Sequence, residues 1–511
     1  MTVTRTIECY FWNPSLGIDD TLEYTYETIN GFELKKPVLT VQVLGKILED
    51  LKRTRKEYLI SLGIPQVIDT IGQVADLWMD PEYKGRKLAL EVLPSVTGFS
   101  REMLEYWGFD YFLSSMRKEN LPLFGRLQPQ QYREFTKLED GLVKAYGISN
   151  ILHSKFEPEV IGHVCAGNIL GIAAFEMIMD KLVDASTWVK VPSEEPVFGA
   201  LYARSIEEVD SRFASSIAVL PFGSEQTHLQ EFLFSHSDLV RATGGESTRK
   251  NLTELSERYH VPLAGHWHKF SFIVISRDYL DSRAREIAEL ASLDICAWDQ
   301  QGCFSPQEIF VETGGEVSPL DFARLLAEEM ETTTRALPKG TNSGKIQVLD
   351  GYYQYLTKEM MGEPVKIFPS KDHLWLVIYD QSTMNFDPSP LFRVIRVKPV
   401  TDIMEIARIV KPIGRFLQTV GVAIPDHRLV PFADAMGKAG ASNMRTVSSM
   451  TLQKSWEPWD GRFPLAELME HDSIHWVSID TRNIDNEMQT ALKRKRLIVN
   501  ERLARNRISE Q

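Results

Sequence analysis

The sequence is poor in cysteine and has no long apolar run. Only four cysteines occur among its 511 residues: Cys9, Cys165, Cys296 and Cys303. So few cysteines in so long a chain do not make a disulfide framework. The longest apolar stretch, residues 169–179, contains Glu176 and is too short to span a bilayer, and the N-terminal residues lack the apolar core and cleavage site of a secretory signal. We therefore expect a reduced, cytoplasmic protein without a membrane span.

Positive charge and metal-binding patterns are also scarce. The formal net charge is -13, which repels the phosphate backbone of nucleic acid overall, so we expect no nucleic acid partner, although local basic patches are consistent with the sequence. Two close histidine pairs occur, but neither is joined to Cys, Asp or Glu at the spacing of a catalytic zinc site, so we predict no metal. The pairs are His266 with His268 and His471 with His475. The basic run at residues 492–511 predicts a helical tail with a solvated face and no function of its own.

The chain does have the balance of an ordinary globular protein, with 43% hydrophobic and 25% charged residues. The chain is too long to fold around a single hydrophobic core, so we predict two or three lobes. The first 150 residues predict a hairpin followed by helices. From about residue 159, short apolar runs alternate with amphipathic helices, which predicts a parallel, doubly wound sheet of the nucleotide-binding kind. Its predicted strands are residues 160–164, 187–191, 216–220 and 238–242.

A second lobe is predicted after residue 269. It begins with a strand at 270–275 and a helix at 278–292, and another helix starts at Ser318-Pro319. Cys296 is predicted to lie on an apolar strand that leads to the turn Asp299-Gln-Gln-Gly-Cys-Phe-Ser-Pro-Gln307. Gly302 allows close approach of the backbone to a ligand, and Pro306 is predicted to end local regular structure. Cys303 on this turn is either an exposed nucleophilic thiol or a small buried hydrophobe, and the local sequence favours neither.

Three further positions have the chemistry of a binding or catalytic site. Asn168 follows the first strand of the doubly wound pattern, where its amide either stabilises an oxyanion or caps a helix. Lys190 and Ser193 lie at the C-terminal end of the second strand, where such sheets bind nucleotides, although a solvated surface loop is also consistent with the sequence. Thr243-Gly244-Gly245 precedes a helix and presents either phosphate-binding N–H groups or an ordinary turn.

Taken together, these segments resemble the aldehyde dehydrogenase superfamily. The resemblance is closer to its acyl-CoA and acyl-protein reductases of the LuxC type, which include the fatty acid reductase of bacterial bioluminescence. It covers residues from about 150 to 480. The segments that carry it are GHVCAGN, VKVPSEEP, ATGGES, HKFSFIVI, DICAWDQQGCFSPQ, FLQTVGV and SWEPWDGR.

The resemblance implies a role for each candidate residue. Cys303 matches the nucleophile and Asn168 matches the amide of the oxyanion hole. Lys190 and Ser193 match contacts to the adenosine ribose, and Thr243, Gly244 and Gly245 match the loop and helix start over the cofactor phosphates. The implied cofactor is NADPH, although Glu194 and Glu195 would repel a 2'-phosphate if they faced it.

One departure from the superfamily is informative. Hydrolytic aldehyde dehydrogenases carry a general-base glutamate four residues before the lysine that corresponds to Lys269, and Gly265 stands there in this chain. The absence of that base suits a reductase, since the acyl-enzyme must survive until hydride reaches it. His266 or His268 is a candidate proton donor, and a structural imidazole is an equal alternative.

We therefore predict an α/β protein with an aldehyde dehydrogenase-like fold. The predicted segments are a mostly helical region (1–150), a Rossmann-type dinucleotide-binding domain (151–265), an α/β catalytic domain with the nucleophile (266–460), and a C-terminal segment that returns to the cofactor domain or an interface (461–511).

The predicted reaction is NADPH-dependent reduction of an acyl thioester to an aldehyde through an S-acyl-cysteine. The expected partners are acyl-CoA or an acyl-carrying enzyme of the acyl-protein synthetase type, and a second copy of the chain in a homo-oligomer. The alternatives are a cysteine acyltransferase or thioesterase without a cofactor, and a non-catalytic binding protein on the same fold.

Overall fold

The computed structural model describes residues 5–121, 158–340, 344–452, 457–469, 478–480 and 484–509. The predicted pair His471 and His475 lies outside these residues. Two compact units form from interleaved parts of the chain. The first comprises Met1–Thr97, Leu104–His268 and Lys454–Ile474, and the second comprises Gly98–Met103, Lys269–Gln453 and His475–Gln511.

The first unit opens with a three-stranded sheet. Its strands are β1 (Arg5–Glu8), β2 (Tyr24–Ile29) and β3 (Phe32–Pro37). The predicted hairpin is confirmed, because β2 and β3 pair antiparallel through a two-residue turn. Asn30 and Gly31 form that turn with φ of 47° and 91°, the left-handed geometry that suits the twist of a tight hairpin. β1 pairs parallel with β3.

Helices follow this small sheet, as the sequence predicts. They are Val41–Glu57, Ile64–Met79, Lys84–Thr97 and a π-helical stretch at Leu104–Phe112. The hydroxyl of Thr40 accepts a hydrogen bond from Val43 N and caps the first of these helices. Trp78 on the second helix is fully buried and donates from its indole to the hydroxyl of Ser205.

A doubly wound sheet forms the centre of the first unit, and its predicted strands are confirmed to within one residue. The strands are β4 (Val160–Val164), β5 (Ser186–Lys190), β6 (Ile217–Leu220), β7 (Leu239–Thr243) and β8 (Leu263–His266). All pairs are parallel, in the order β6-β5-β4-β7-β8. The connecting helices are Ile172–Lys181, Phe198–Val209, Ser211–Ala214, Thr227–Ser235 and Glu246–Tyr259, and Pro464–Met469 comes later in the chain. Parallel strands place all their carboxyl ends at one edge, where the order reverses beside β4.

The second unit contains an eight-stranded sheet in the order β11-β12-β13-β10-β9-β14-β15-β16. Only the β11–β12 pair is antiparallel in the described part of the sheet. The strands are β9 (Phe270–Ile275), β10 (Pro306–Glu312), β11 (Val365–Pro369), β12 (Leu376–Asp380), β13 (Val394–Val400), β14 (Leu417–Ala423), β15 (Asn443–Thr446) and β16 (Ser478–Asp480). The longer helices are Ala284–Cys296, Pro319–Ala336, Lys345–Met360, Asp426–Ala439 and Ile484–Ser509.

Three predictions in the second unit were wrong. Cys296 ends a helix rather than lying on a strand, because Ala284–Cys296 stays helical with its apolar side chains buried. The helix also starts later than the predicted residue 278. Pro306 begins β10 instead of ending regular structure. Proline is tolerated as the first residue of a strand, where a missing N–H donor costs little.

The C-terminal basic run has the predicted exposed face, with Lys493 and Arg496 exposed, and it also has a buried face. Residues 484–509 are helical, as predicted, but Lys495 is 1% exposed. Its ammonium lies 3.6 Å from Glu329 and 3.9 Å from Glu289, and it donates to the hydroxyl of Ser292. Within the second unit, the helix thus packs through a buried cation as well as through Leu492.

None of the helices in the described ranges is long and apolar enough to cross a membrane.

A buried histidine holds a late segment of the chain onto the doubly wound sheet. His266 at the end of β8 lies between two carboxylates, with Nδ1 2.9 Å from Asp460 and Nε2 2.9 Å from Glu467. Burial disfavours the imidazolium, but attraction to Glu467 and both hydrogen bonds outweigh it and raise the pKa of His266 above its ordinary value. Burial also opposes the charge of Glu467, yet His266 and Arg241 lower the pKa of Glu467 to about 2.

We predict that His266→Gln destabilises the protein mainly at acidic to neutral pH. A raised folded-state pKa gives stability that is complete below the unfolded value of about 6.5 and is lost as pH rises through the folded value. Removing one partner of a buried ion pair costs about 3–5 kcal/mol. Urea unfolding at about pH 6 should therefore show a larger loss than at about pH 9. The exposed His228→Gln is the control, and an equal loss for His266→Gln at both pH values would contradict this role.

Candidate functional site

Three of the predicted cofactor segments meet at the carboxyl edge of the doubly wound sheet. They follow β4, β5 and β7, which are neighbours. The hydroxyl of Thr243 accepts a hydrogen bond from Ala166 N at 2.9 Å, which joins the loops after β7 and β4. A side chain at Gly167 would lie 3.2 Å from the ring of Pro192, so the loops after β4 and β5 are also in contact. The edge is therefore one continuous surface.

Asn168 lies on the loop after β4, and its side chain is exposed. The alternative role as a helix cap is excluded, because the following helix starts at Ile172 and is capped by Gly171. Gly171 has φ of 99°, a left-handed conformation that glycine adopts without strain. The exposed amide of Asn168 thus has no role in starting this helix.

Lys190 ends β5 at the same edge and is only 7% exposed. Burial lowers the pKa of Lys190, and the nearby carboxylates of Glu194 and Glu225 oppose the shift. Ser193 in the next turn is exposed. The carboxylate of Glu195 accepts hydrogen bonds from Val197 N and Phe198 N, so it caps the next helix and is committed to that structural contact. Glu194 remains exposed near Lys190.

The Gly244-Gly245 pair opens a helix of fourteen residues, Glu246–Tyr259. Gly245 is exposed at its start, and no atom lies within 4 Å of the point where a side chain would begin. The first N–H groups of a helix lack partners within it and attract anions. Glu246 in the first turn pairs with Arg249 at 3.0 Å. The geometry suits a phosphate held against the backbone.

Cys303 belongs to the second unit and is partly exposed. Its sulfur accepts a hydrogen bond from Gln418 Nε2 at 3.3 Å. Its carbonyl oxygen accepts one from the hydroxyl of Ser271 at 2.8 Å, and Ser305 N donates to the carbonyl of Gly302 to close the turn. The space that a side chain at Gly302 would need is filled by the ring of Phe304, so this glycine serves the turn itself. The alternative of a fully buried thiol is excluded for Cys303.

The turn before Cys303 is held in a strained backbone conformation. Trp298, Asp299 and Gln300 have φ of 52°, 48° and 65°, in the left-handed region that costs non-glycine residues energy. The side chain of Gln300 replaces a piece of sheet ladder: its amide nitrogen donates to Pro306 O and Val394 O, and its oxygen accepts from Val394 N. These buried bonds over-determine the turn.

A second left-handed stretch lies against the first. Leu391, Phe392 and Arg393 have φ of 66°, 54° and 67°. The fully buried guanidinium of Arg393 pairs with the Asp299 carboxylate at 2.7 Å and also donates from Nε at 2.8 Å. One buried ion pair thus ties together two strained segments behind Cys303.

Gly265 lies within β8 at the position of the missing general base. A side chain there would overlap the indole ring of Trp267. Its carbonyl oxygen accepts a hydrogen bond from Arg462 at 2.7 Å. A glutamate therefore does not fit this strand unless Trp267 moves.

Three residues of this site were not identified from the sequence: Ser271, Arg393 and Gln418. Gln418 stood within the quoted segment FLQTVGV, but no local pattern shows that it meets a cysteine 115 positions away. Ser271 and Arg393 carry no motif. A buried polar residue in an apolar strand was the only available signal for Ser271 and Gln418.

Comparison with known structures defines the fold class. A salicylaldehyde dehydrogenase from Pseudomonas putida G7 aligns with a TM-score of 0.64 at 13% identity, over 90% of this chain and 93% of that one. A glyceraldehyde-3-phosphate dehydrogenase from Methanocaldococcus jannaschii DSM 2661, solved with NADP, aligns with a TM-score of 0.62 at 12% identity, over 86% and 94%. The predicted aldehyde dehydrogenase-like fold is confirmed.

Sequence comparison gives the family within that fold. The model for the acyl-CoA reductase family LuxC matches residues 59–471. The long-chain acyl-protein thioester reductase of Aliivibrio fischeri is 24% identical over 439 residues, which cover 84% of this chain and 85% of the relative. The chain belongs to the LuxC family of acyl-CoA reductases. The predicted enzyme class, an oxidoreductase acting on acyl groups, is confirmed.

We predict that Asp299→Ala strongly destabilises the second unit. The change leaves the guanidinium of Arg393 buried without its carboxylate, which costs about 3–5 kcal/mol. The measurement is the free energy of unfolding in urea. The double change Asp299→Ala with Arg393→Met should recover part of the loss, since no buried charge remains. The control is Asp434→Ala, which breaks the exposed pair with Lys438. A loss no larger than that of the control would contradict the role of the Asp299–Arg393 pair.

Proposed function

We propose that the protein reduces an acyl thioester to an aldehyde with NADPH, through an acyl group carried on the sulfur of Cys303. The observation that carries this proposal is the setting of Cys303. The residue is partly exposed, it follows a strained turn that buried hydrogen bonds hold in place, and its sulfur accepts a hydrogen bond from the amide of Gln418. Membership of the LuxC family supports reduction of an acyl group. The aldehyde dehydrogenase-like fold supports a cysteine nucleophile combined with a nicotinamide cofactor.

The protein's own residues have the following proposed roles. The Cys303 sulfur attacks the acyl carbon, and the thiol of the acyl donor departs. The Cys303 backbone N–H and the Asn168 amide stabilise the oxyanion. The exposure of Asn168 and its exclusion as a helix cap support a role toward substrate. After reduction of the acyl carbon, the bond to Cys303 breaks and the aldehyde leaves.

NADPH is the proposed cofactor, and it would supply the hydride. The residues at the carboxyl edge of the doubly wound sheet fit it: Gly245 stands at a helix start with open space beside it for a phosphate, while Lys190 and Ser193 lie at the end of β5 for the ribose. The N–H of Gly244 is already donated to His266 O at 3.1 Å. Glu195 is engaged in capping a helix, which removes one of the two carboxylates expected to repel a 2'-phosphate. Two structural neighbours were solved with NADP.

The proposed product is aldehyde rather than free acid. The general base of hydrolytic relatives has no equivalent at Gly265, and Trp267 occupies the space that such a side chain would need. The proposed acyl donors are a long-chain acyl-CoA or an acyl-carrying protein, since relatives are named long-chain acyl-protein thioester reductases. A homo-oligomer also remains a proposal.

We predict that Cys303→Ala abolishes both acyl labelling and aldehyde formation while NADPH still raises the melting temperature. The measurement is incubation with radiolabelled acyl-CoA, followed by product analysis with and without NADPH. Cys296→Ala is the matched control, because this thiol is fully buried at a helix end and should not be acylated. Labelling of Cys303→Ala equal to wild type would disprove the assignment, and rapid release of fatty acid without cofactor would favour a thioesterase.

We predict that Lys190→Ala weakens the binding of NADPH more than the binding of NADH. A lost charge-assisted contact to the 2'-phosphate should raise KM for NADPH by about tenfold or more, with a smaller change for NADH. Steady-state kinetics with both cofactors measures this. Lys250→Ala removes an exposed lysine of the same unit and is the control. Equal effects on both cofactors would place Lys190 away from that phosphate.

A further inference from the structure

The sulfur of Cys303 accepts a hydrogen bond from a buried side chain. Its donor, the Gln418 amide, is only 5% exposed, whereas Cys303 itself is partly exposed. A hydrogen bond from a buried donor acts in a low local dielectric and is stronger than the same bond in water. Cys303 is therefore partly exposed, while a fixed dipole on a buried residue points at its sulfur.

A β-bulge aims Gln418 at this sulfur. β14 pairs with β9 at Leu417↔Phe270 and next at Val420↔Phe272, so Gln418 and Thr419 both lie opposite Ser271. Bulges of this kind bend a strand and redirect a side chain. The Ser271 hydroxyl accepts a hydrogen bond from Thr419 N at 3.1 Å and donates to Cys303 O at 2.8 Å. The bulge and the turn are thus fixed to each other by one side chain.

We propose that Gln418 is a catalytic residue that stabilises the thiolate form of Cys303 both when it attacks the acyl donor and when it leaves the reduced adduct. This role rests on the proposed function, in which Cys303 is the nucleophile. A hydrogen bond to the charged form of a group favours that form. The amide of glutamine is uncharged and does not titrate, so its donor is present at every working pH.

The hydrogen bond from Gln418 to Cys303 acts at two steps of the reaction. In acylation the sulfur electron pair forms the S–C bond, the bond to the donor's sulfur breaks, and the departing thiolate takes a proton from solvent. After hydride from NADPH has reached the acyl carbon, the C=O bond re-forms, the S–C bond breaks and the electron pair returns to Cys303. The cofactor is oxidised and the acyl group is reduced to aldehyde.

In the second step, Gln418 should stabilise the transition state of S–C cleavage more than it stabilises the reduced adduct that precedes it. A sulfur bonded to carbon is a weak acceptor, while the thiolate that forms on bond breaking is a strong one. The hydrogen bond from Gln418 therefore strengthens as the S–C bond breaks, which lowers the barrier to release of the aldehyde. It also makes the thiolate somewhat less nucleophilic, but nucleophilicity falls by only about half as much as the thiolate fraction rises.

The test measures alkylation of Cys303 by iodoacetamide in the full-length protein without substrates, by mass spectrometry of the Cys303 peptide across pH. In Gln418→Met, which keeps the length but lacks the donor, the half-maximal pH should rise by roughly one unit. The rate near neutral pH should then fall roughly three- to fourfold, because the remaining thiolate is more nucleophilic and offsets about half of the tenfold loss of thiolate. Gln418→Glu should shift it further, since a carboxylate repels a thiolate. With an acyl donor and NADPH, kcat should fall while KM for the donor changes little.

Thr419→Val is the matched control. It alters the neighbouring side chain of the same bulge and leaves the Gln418 amide in place, so its half-maximal pH should equal that of wild type. The proposal is overturned if both Gln418 variants alkylate with the wild-type profile, or if Thr419→Val shifts as much as they do. Should Gln418→Met fail to fold, Gln418→Glu decides. If an acyl donor does not label wild-type Cys303, the proposed function fails, and Gln418 is then no catalytic residue even where the alkylation profile shifts.

Discussion

The hydroxyl of Ser271 connects the turn that carries Cys303 to the β-bulge that carries Gln418. It donates to the carbonyl of Cys303 and accepts from the amide of Thr419, and its residue is fully buried. A buried peptide group without a partner is costly, and a hydroxyl can satisfy a donor and an acceptor at once. Both neighbouring strands also change register around Ser271, on the β10 side and on the β14 side. The cysteine turn and the glutamine bulge therefore depend on the same atom.

Much of the motif around Cys303 serves to hold the turn. Asp299 binds Arg393, Gln300 bonds to the backbone of Val394, and Gln307 accepts from Ser389 N. Left-handed residues before the cysteine cost energy that these buried contacts offset. Rigid placement of a nucleophile is worth more in catalysis than the local strain costs in stability. Several residues of the quoted motif are thus explained by how the turn is built.

The sequence predicted the parts of the fold that depend on continuous apolar runs. β4 and β9 have the predicted bounds, because buried parallel strands are apolar on both faces. The same rule failed at Cys296, since a short apolar run is equally consistent with a buried helix. The cofactor-edge residues were predictable as a group, because parallel strands bring their carboxyl ends together. Gln418 was not, because a bulge depends on the pairing of strands far apart in sequence and leaves no local pattern.

The chemistry of the contacts on Cys303 bears on why such an enzyme would reduce rather than hydrolyse. Ser271 and Gln418 are uncharged, in contrast to the buried ion pairs around His266 and Arg393. A carboxylate or imidazole beside the acyl-enzyme would accept a proton from water and promote hydrolysis, as a general base does. An amide N–H stabilises sulfur without accepting that proton. On the proposed function, activation of the thiol by the uncharged amide of Gln418 serves one requirement: the acyl group must stay on sulfur until it is reduced.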